Sequence, residues 1–267
     1  MLDGGKRNVL GVLVDVVDYE AVLVRTIEAS IAGRPFTVSA LAVHGVMSGR
    51  DPAQRRVLNN LDIVAPDGQP VRWGLNLLHR AGLAQTVRGS NLTLRLLEAT
   101  AESDVAVFFY GSRPEVLESL LTNIRSRFPG LTVAGSEPSK FRAVNSHERE
   151  AIVARIKSSG ARLVFVGLGC PRQEVFVYEL REELSMPLVA VGAAFDYLGG
   201  FLHQPPQRIQ RAGLEWLWRL LLEPRRLWRR YVLLNPLYLA MLACQAIHVW
   251  TPAIEGSPPA AGRALDA

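Results

Sequence analysis

The chain has 267 residues, of which 49% are hydrophobic and 21% charged, with a formal net charge of +5. That is enough chain to bury one large core or two small ones, and it excludes collagen, disorder and a disulfide scaffold. Cys170 and Cys244 are the only cysteines, too few and too far apart for a framework, so a reducing compartment with free thiols is expected, each a small buried apolar group.

Lys6, Lys140 and Lys157 are the only lysines, which leaves arginine for all the rest of the 30 basic residues. Arginine suits planar phosphate and carboxylate recognition, although base composition of the genome accounts for the scattered ones. Position separates the two cases. Arg208, Arg211, Arg219, Arg225, Arg226, Arg229 and Arg230 crowd one stretch that holds only Glu215 and Glu223 as acids, so this end of the molecule should attract anions.

In chain order, the apolar run at 9–17 is interrupted by Asp15 and followed by Asp18 and Glu20; it reads as a first strand rather than a secretory segment. Strands are predicted at 36–43 and, briefly, at 63–65, where the run ends in Pro66-Asp67-Gly68. The buried run 105–110 predicts a strand, 111–114 a turn and 115–128 a helix stopped by Pro129-Gly130. A strand at 162–166 leads through Gly167-Leu168-Gly169-Cys170-Pro171 into a helix ending near 183, and a strand at 188–191 runs into Gly192-Ala193-Ala194-Phe195-Asp196. Short apolar runs alternating with longer amphipathic ones define an α/β fold, a Rossmann-like and mainly parallel sheet with flanking helices. Such sheets bind ligands where strand C-termini meet helix N-termini, and every loop just named lies at that edge.

From 210 onward strands vanish, and helices are predicted at 214–222 and 224–250. The expected organisation is a catalytic α/β domain over 1–205, a helical Arg-rich appendage over 206–250, and a disordered Pro, Gly and Ala-rich tail over 251–267. The apolar stretch 231–250 has about the length of a bilayer span, yet Asn235, Pro236, Gln245 and His248 fall within it, which favours a surface-lying or buried helix. Arg225, Arg226, Arg229 and Arg230 beside Trp228 and Tyr231 describe a membrane-surface element. The alternative is a helix packed on the core with its arginines in water; the scarcity of polar residues after Tyr231 favours the membrane.

Gly167 to Arg172 superficially matches a dinucleotide fingerprint, but Arg172 stands where a third glycine is wanted, so a nicotinamide oxidoreductase is disfavoured. What survives is a loop whose glycines let backbone approach a ligand, Pro171 for the first turn of a helix, and free N–H groups for an anion. Gln173 and Glu174 either point at a bound sugar or nucleotide or cap the helix, and spacing does not choose. Asp67, on a tight turn at a strand end, suits a general base; an Asx-turn is the commoner role of such an aspartate. His44, His79, His147, His203 and His248 show no ligand spacing and no Asp-x-Asp pair occurs, so neither a metal nor a cofactor is expected. Phosphate charge would then fall to arginines.

Several segments together go further. Val43-His44-Gly45-Val46-Met47, Ala65-Pro66-Asp67-Gly68, Gly167-Leu168-Gly169-Cys170-Pro171-Arg172-Gln173-Glu174, Gly192-Ala193-Ala194-Phe195-Asp196 and Gly213-Leu214-Glu215-Trp216, followed by Glu223-Pro224-Arg225-Arg226 and Arg229-Arg230-Tyr231, resemble the bacterial N-acetylmannosamine and N-acetylmannosaminuronic acid transferases, glycosyltransferase family 26 of the WecG/TagA/CpsF type. The resemblance covers residues 9–235. It implies a metal-independent, inverting glycosyltransferase that passes a sugar from a UDP-sugar to a polyprenyl-diphosphate-linked acceptor, peripheral on the inner face of the cytoplasmic membrane, in wall-polymer or surface-polysaccharide assembly. It also implies Asp67 as base, Gln173 near the donor, and Arg219, Arg225, Arg226, Arg229 and Arg230 closing over the diphosphate.

With the strand-end loops, the resemblance gives Ser39, Gly68, Gln69, Asn91, Gly111, Gly167, Gly169, Pro171, Gln173, Glu174, Phe195, Asp196, Arg211, Arg219, Arg225, Arg229 and Arg230 as the expected substrate-binding set. No nucleic-acid partner is expected, and self-association is left open. The chain departs from the family at Ser39 and Leu41, where many members carry Thr-x-Asn, at Asn91 in place of an aspartate, and at Gln204-Pro205-Pro206 in place of Arg-Ala-Pro. These differences bear on donor and acceptor identity. The rival from another class is a non-catalytic member of a polysaccharide-assembly complex.

Overall fold

The computed structural model describes residues 1–142, 144–206, 208–209 and 214–256. The chain opens with an antiparallel hairpin, β1 (Asp3–Val9) and β2 (Val12–Val17). The single strand expected over 9–17 is therefore corrected: Leu10 and Gly11 take φ of 54° and 91° and turn the chain back, the left-handed pair that a two-residue hairpin loop requires.

Six parallel strands follow, in the order β4-β3-β8-β7-β5-β6 across one sheet: β3 (Phe36–Leu41), β4 (Ile63–Pro66), β5 (Val107–Gly111), β6 (Val133–Glu137), β7 (Leu163–Gly167) and β8 (Pro187–Ala190). Side-chain alternation divides the interior in two. Phe108, Tyr110, Val164, Val166, Leu188 and Ala190 face one apolar cluster, while Val107, Phe109, Leu163, Phe165 and Val189 face the other. A sheet buried on both faces needs apolar residues at consecutive positions, which is why its strands read as unbroken runs.

The second cluster is closed by α1 (Tyr19–Ala32), α5 (Gly89–Glu102), α6 (Pro114–Arg127) and α9 (Ala194–Leu198). The first is closed by the hairpin with α2 (Val43–Ser48), α4 (Gln69–His79), α7 (Ser146–Ser158) and α8 (Arg172–Leu184); α3 (Pro52–Asn59) lies beside β2 and α8. Local sequence sets the helix ends. Asp18 caps α1 by accepting from the Ala21 N–H at 2.9 Å, and Asn145 and Glu148 form a reciprocal capping box on α7.

The C-terminal helices are α10 (Glu215–Leu222), where a helix was predicted at 214–222, and then α11 (Pro224–Trp228), a π-helical turn (Arg229–Leu234) and α12 (Asn235–Ala246), which divide the helix predicted at 224–250. Among the described residues no helix is long and apolar enough to cross a membrane. Instead α12 docks: Tyr238 is fully buried, donates its hydroxyl to the Pro70 carbonyl at 3.0 Å, and lies so close to Gly74 that a Cβ there would meet it at 2.6 Å. Gln245 caps the hairpin, accepting from the Leu10 N–H at 2.9 Å and donating to the Asn8 carbonyl at 3.1 Å.

Residues 251–256, expected as the start of a disordered tail, are fastened to the body. Asn59 donates to the Ile254 carbonyl at 2.7 Å and Arg55 to the Glu255 carbonyl at 2.9 Å. The remainder of that tail, 257–267, lies outside the described residues.

Candidate active site at the C-terminal edge of the sheet

A cavity of about 290 Å³ opens where β4, β3, β8 and β7 end. Its floor is made of the loops after those strands, and α5 presents its N-terminus through Arg88, Gly89, Ser90 and Asn91. The C-terminal helices supply the opposite wall with Trp216, Arg219, Leu227, Arg230, Tyr231 and Asn235. The N-termini of α4, α5 and α8 converge at this edge, which favours bound negative charge.

Among the described residues Asp67 is the only carboxylate lining the cavity, against Arg88, Arg219 and Arg230. Asp67 follows β4 directly. Its N–H donates to the Leu41 carbonyl at 3.1 Å, and its Oδ2 lies 3.5 Å from the Gly89 N–H at the start of α5. Gly68, at φ 80°, turns the chain into α4 immediately after it. Burial, then the nearby Asp67 charge, raises the pKa of the Tyr19 phenol, whose oxygen accepts from the Arg88 N–H at 2.8 Å; burial also raises that of Tyr231 on the far wall, with Asp67 again contributing.

Among the described residues, two enclosed polar atoms of cavity-lining side chains lack a hydrogen-bond partner: Gln69 Oε1, an acceptor two residues after Asp67, and Arg219 Nε, a donor. Arg219 otherwise pairs with Glu223 at 3.1 Å and lies 5.7 Å from the centre of the Tyr197 ring. Leaving such atoms unmatched is costly, and a ligand hydroxyl or amide could satisfy the first and an anionic oxygen the second. His44 contributes a neutral imidazole, its pKa lowered to about 4 by burial and by Arg230. The Cys170 thiol is pushed up by burial and by Glu174.

Of the residues expected to bind substrate, Gly68, Gln69, Asn91, Gly169, Gln173, Arg219 and Arg230 line the cavity with Asp67. Gly169 has φ 80° and open space where a Cβ would stand, a backbone conformation that favours glycine. Others lie elsewhere. Ser39 and Glu174 are fully buried beneath the floor and bonded to each other at 2.9 Å. Gly111 and Gly167 serve strand packing, since a Cβ on Gly111 would meet the Gly167 carbonyl at 2.7 Å and one on Gly167 would meet the Phe195 ring at 2.6 Å.

Phe195 itself is a core residue against Phe109, 5.8 Å between ring centres. Pro171 caps α8 rather than entering its first turn, and Asp196 lies within the short helix α9. Arg225 and Arg229 are exposed on the outer side, Arg229 lying 5.4 Å from the centre of the Trp228 ring. Arg211 lies outside the described residues, and of the Arg226 side chain nothing is described. Arg88, Tyr197 and Asn235 line the cavity without having been expected there. The one signal for Arg88 is its place before Gly89-Ser90-Asn91, at a helix start facing the same edge.

A parallel sheet whose C-terminal edge sets Asp67 among Arg88, Arg219 and Arg230 is suited to an anionic ligand. The chain belongs to the Glycosyl transferase WecG/TagA/CpsF family, whose description matches residues 7–251; it is a glycosyltransferase. One relative, from Bacillus spizizenii, is 30% identical over 196 residues, covering 73% of this chain and 74% of its own length, and is named N-acetylglucosaminyldiphosphoundecaprenol N-acetyl-beta-D-mannosaminyltransferase.

Proposed function

We propose that the protein transfers an N-acetylmannosamine-like sugar from a UDP-sugar to a polyprenyl-diphosphate-linked acceptor, with inversion and without a divalent ion, during assembly of a wall polymer or surface polysaccharide. The observation that carries this reading is the charge layout of the cavity, Asp67 alone among Arg88, Arg219 and Arg230. The name of the Bacillus spizizenii relative supports the sugar and the lipid-linked acceptor.

Asp67 takes the proton of an acceptor hydroxyl as its oxygen forms a bond to the anomeric carbon. The bond from that carbon to the UDP oxygen breaks on the opposite face, and UDP leaves with the bonding electrons. Arg219 and Arg230 stabilise the departing diphosphate through charge-assisted hydrogen bonds; the enclosed Arg219 Nε, without a hydrogen-bond partner among the described residues, supports this reading. Gln69 Oε1 accepts from a sugar hydroxyl or acetamido N–H beside the base. The counter-charge this reading relies on is that of the arginines lining the cavity, Arg88, Arg219 and Arg230. The membrane side of the reading rests on exposed Leu221, Leu222, Trp228, Val232 and Leu233 on the helices that wall the cavity, which would hold the enzyme against the bilayer where a polyprenyl acceptor resides.

The test is a thermal-shift screen of UDP-sugars in chelator. A donor present at about 100 times its dissociation constant stabilises the fold by about 2.7 kcal/mol. No shift with any UDP-sugar, or turnover that vanishes in chelator and returns with magnesium or manganese, would overturn the proposal.

A further inference from the structure

Gln173 is 2% exposed and lines the cavity, and its side chain ends in a carbonyl oxygen and an amide nitrogen. That oxygen accepts two main-chain hydrogen bonds, from the Gly169 N–H at 3.1 Å and from the Gly192 N–H at 2.9 Å. One belongs to the loop after β7 and the other to the loop after β8, neighbouring strands whose loops both line the cavity. A single side-chain carbonyl thus staples the two loops. It also occupies the Gly169 N–H, which the sequence had offered to a phosphate.

Both loop groups are donors, so only the oxygen of the Gln173 amide can face them and its nitrogen must turn the other way. There it meets Glu174 Oε1 at 2.9 Å, which also accepts from Ser39 Oγ on β3 at 2.9 Å. Glu174 is fully buried, its Oε2 is enclosed with no hydrogen-bond partner, and the Cys170 thiol adjoins the carboxyl. A buried carboxylate with no cation beside it is unfavourable, and burial raises the pKa of this one. Its Oε1 accepts twice, from the Gln173 amide and from the Ser39 hydroxyl.

We propose that Glu174 is a positioning residue that acts through Gln173, fixing its amide so that the loops after β7 and β8 are held at the separation the donor's nucleotide requires. The nucleotide part rests on the donor-site reading above; the staple does not. A carboxamide in place of Glu174 keeps the essential acceptor, whereas an apolar side chain of similar size removes it and strands the Gln173 nitrogen and the Ser39 hydroxyl.

The experiment uses the full chain and two readouts, amide hydrogen exchange at Gly169 and Gly192 without nucleotide, and UDP affinity by calorimetry. Glu174→Met should speed exchange at both glycines by about tenfold and weaken UDP by a similar factor, while Glu174→Gln stays near the parent on both. Leu180→Ala, a buried change on the same helix, controls for lost stability and should leave both readouts in place. Glu174→Ala supplies a second removal of the acceptor should the methionine variant not fold. Unchanged exchange in the variants lacking the acceptor overturns the proposal, as does a glutamine variant as impaired as the methionine one. If exchange follows Glu174 but the parent protein binds no UDP, the staple stands and the donor reading falls.

Discussion

The sheet and the C-terminal helices are comparably apolar in sequence but use that character in opposite ways. In β5, β7 and β8 successive residues such as Val164, Phe165, Leu188 and Val189 are fully buried, each face consumed by its own cluster. In the C-terminal helices Tyr238 and Leu242 join the first cluster, Met241 packs against it and Leu227 is buried on the cavity wall, while Leu221, Val232, Leu233 and Leu239 stay in solvent. Folding accounts for the first set and not for the second. Large exposed apolar patches mark interaction sites, and the proposed membrane contact rests on this second set. The two regions face each other across the cavity, and Tyr238 anchors the helices on α4, so substitutions there probe the seam.

The largest effect is expected at Asp67, on the sheet side. Asp67→Asn preserves shape and the turn at Gly68 but removes the base, so turnover should fall at least about a hundredfold while UDP affinity stays nearly intact. Single-turnover kinetics with lipid-linked acceptor beside UDP calorimetry measures both, and undiminished turnover would remove Asp67 from the mechanism. Next comes Tyr238, which anchors the appendage. Tyr238→Ala should cost about 3–5 kcal/mol by denaturant unfolding, whereas Tyr238→Phe, losing only the bond to the Pro70 carbonyl, should cost about 1 kcal/mol. Equal costs would mean that the hydroxyl, not the packed ring, holds α12 on α4.

What the sequence made legible follows from the same division. β5, β7 and β8 were readable because burial on both faces demands unbroken apolar runs. β6 was not, since Val-Ala-Gly-Ser-Glu at the sheet edge is half-buried and carries no such run. The docking of 251–256 escaped notice because its acceptors are main-chain carbonyls, which no side-chain pattern records. Asp67, Gly68 and Gly169 stood out as turn residues at strand ends. Arg88 and Tyr197 did not, because their convergence depends on β3 lying beside β8, a pairing between strands far apart in the chain. Glu174 was noticed for the right motif, but its burial beneath Gln173 is a fact of packing, and spacing could not choose between ligand contact and cap.

The smallest effects should come from the exposed apolar residues, and they test the comparison most directly. Deleting the chain from Leu227 would be a poor test, because Leu227, Tyr238 and Leu242 are buried and their loss would damage the fold along with any membrane contact. Leu221→Ser, Val232→Ser and Leu233→Ser touch only solvent-facing positions, with Leu221 71% exposed, so each should leave the unfolding midpoint within about 0.5 kcal/mol of the parent. If these side chains enter a bilayer, each should weaken binding to anionic liposomes by about 1 kcal/mol, close to fivefold, and the triple variant should no longer float with them. Raised salt should weaken the parent's binding as well, since exposed Arg225 and Arg229 contribute about 1 kcal/mol each near anionic lipid. Flotation of the triple variant equal to that of the parent would detach the apolar face from the membrane and leave it to a protein partner.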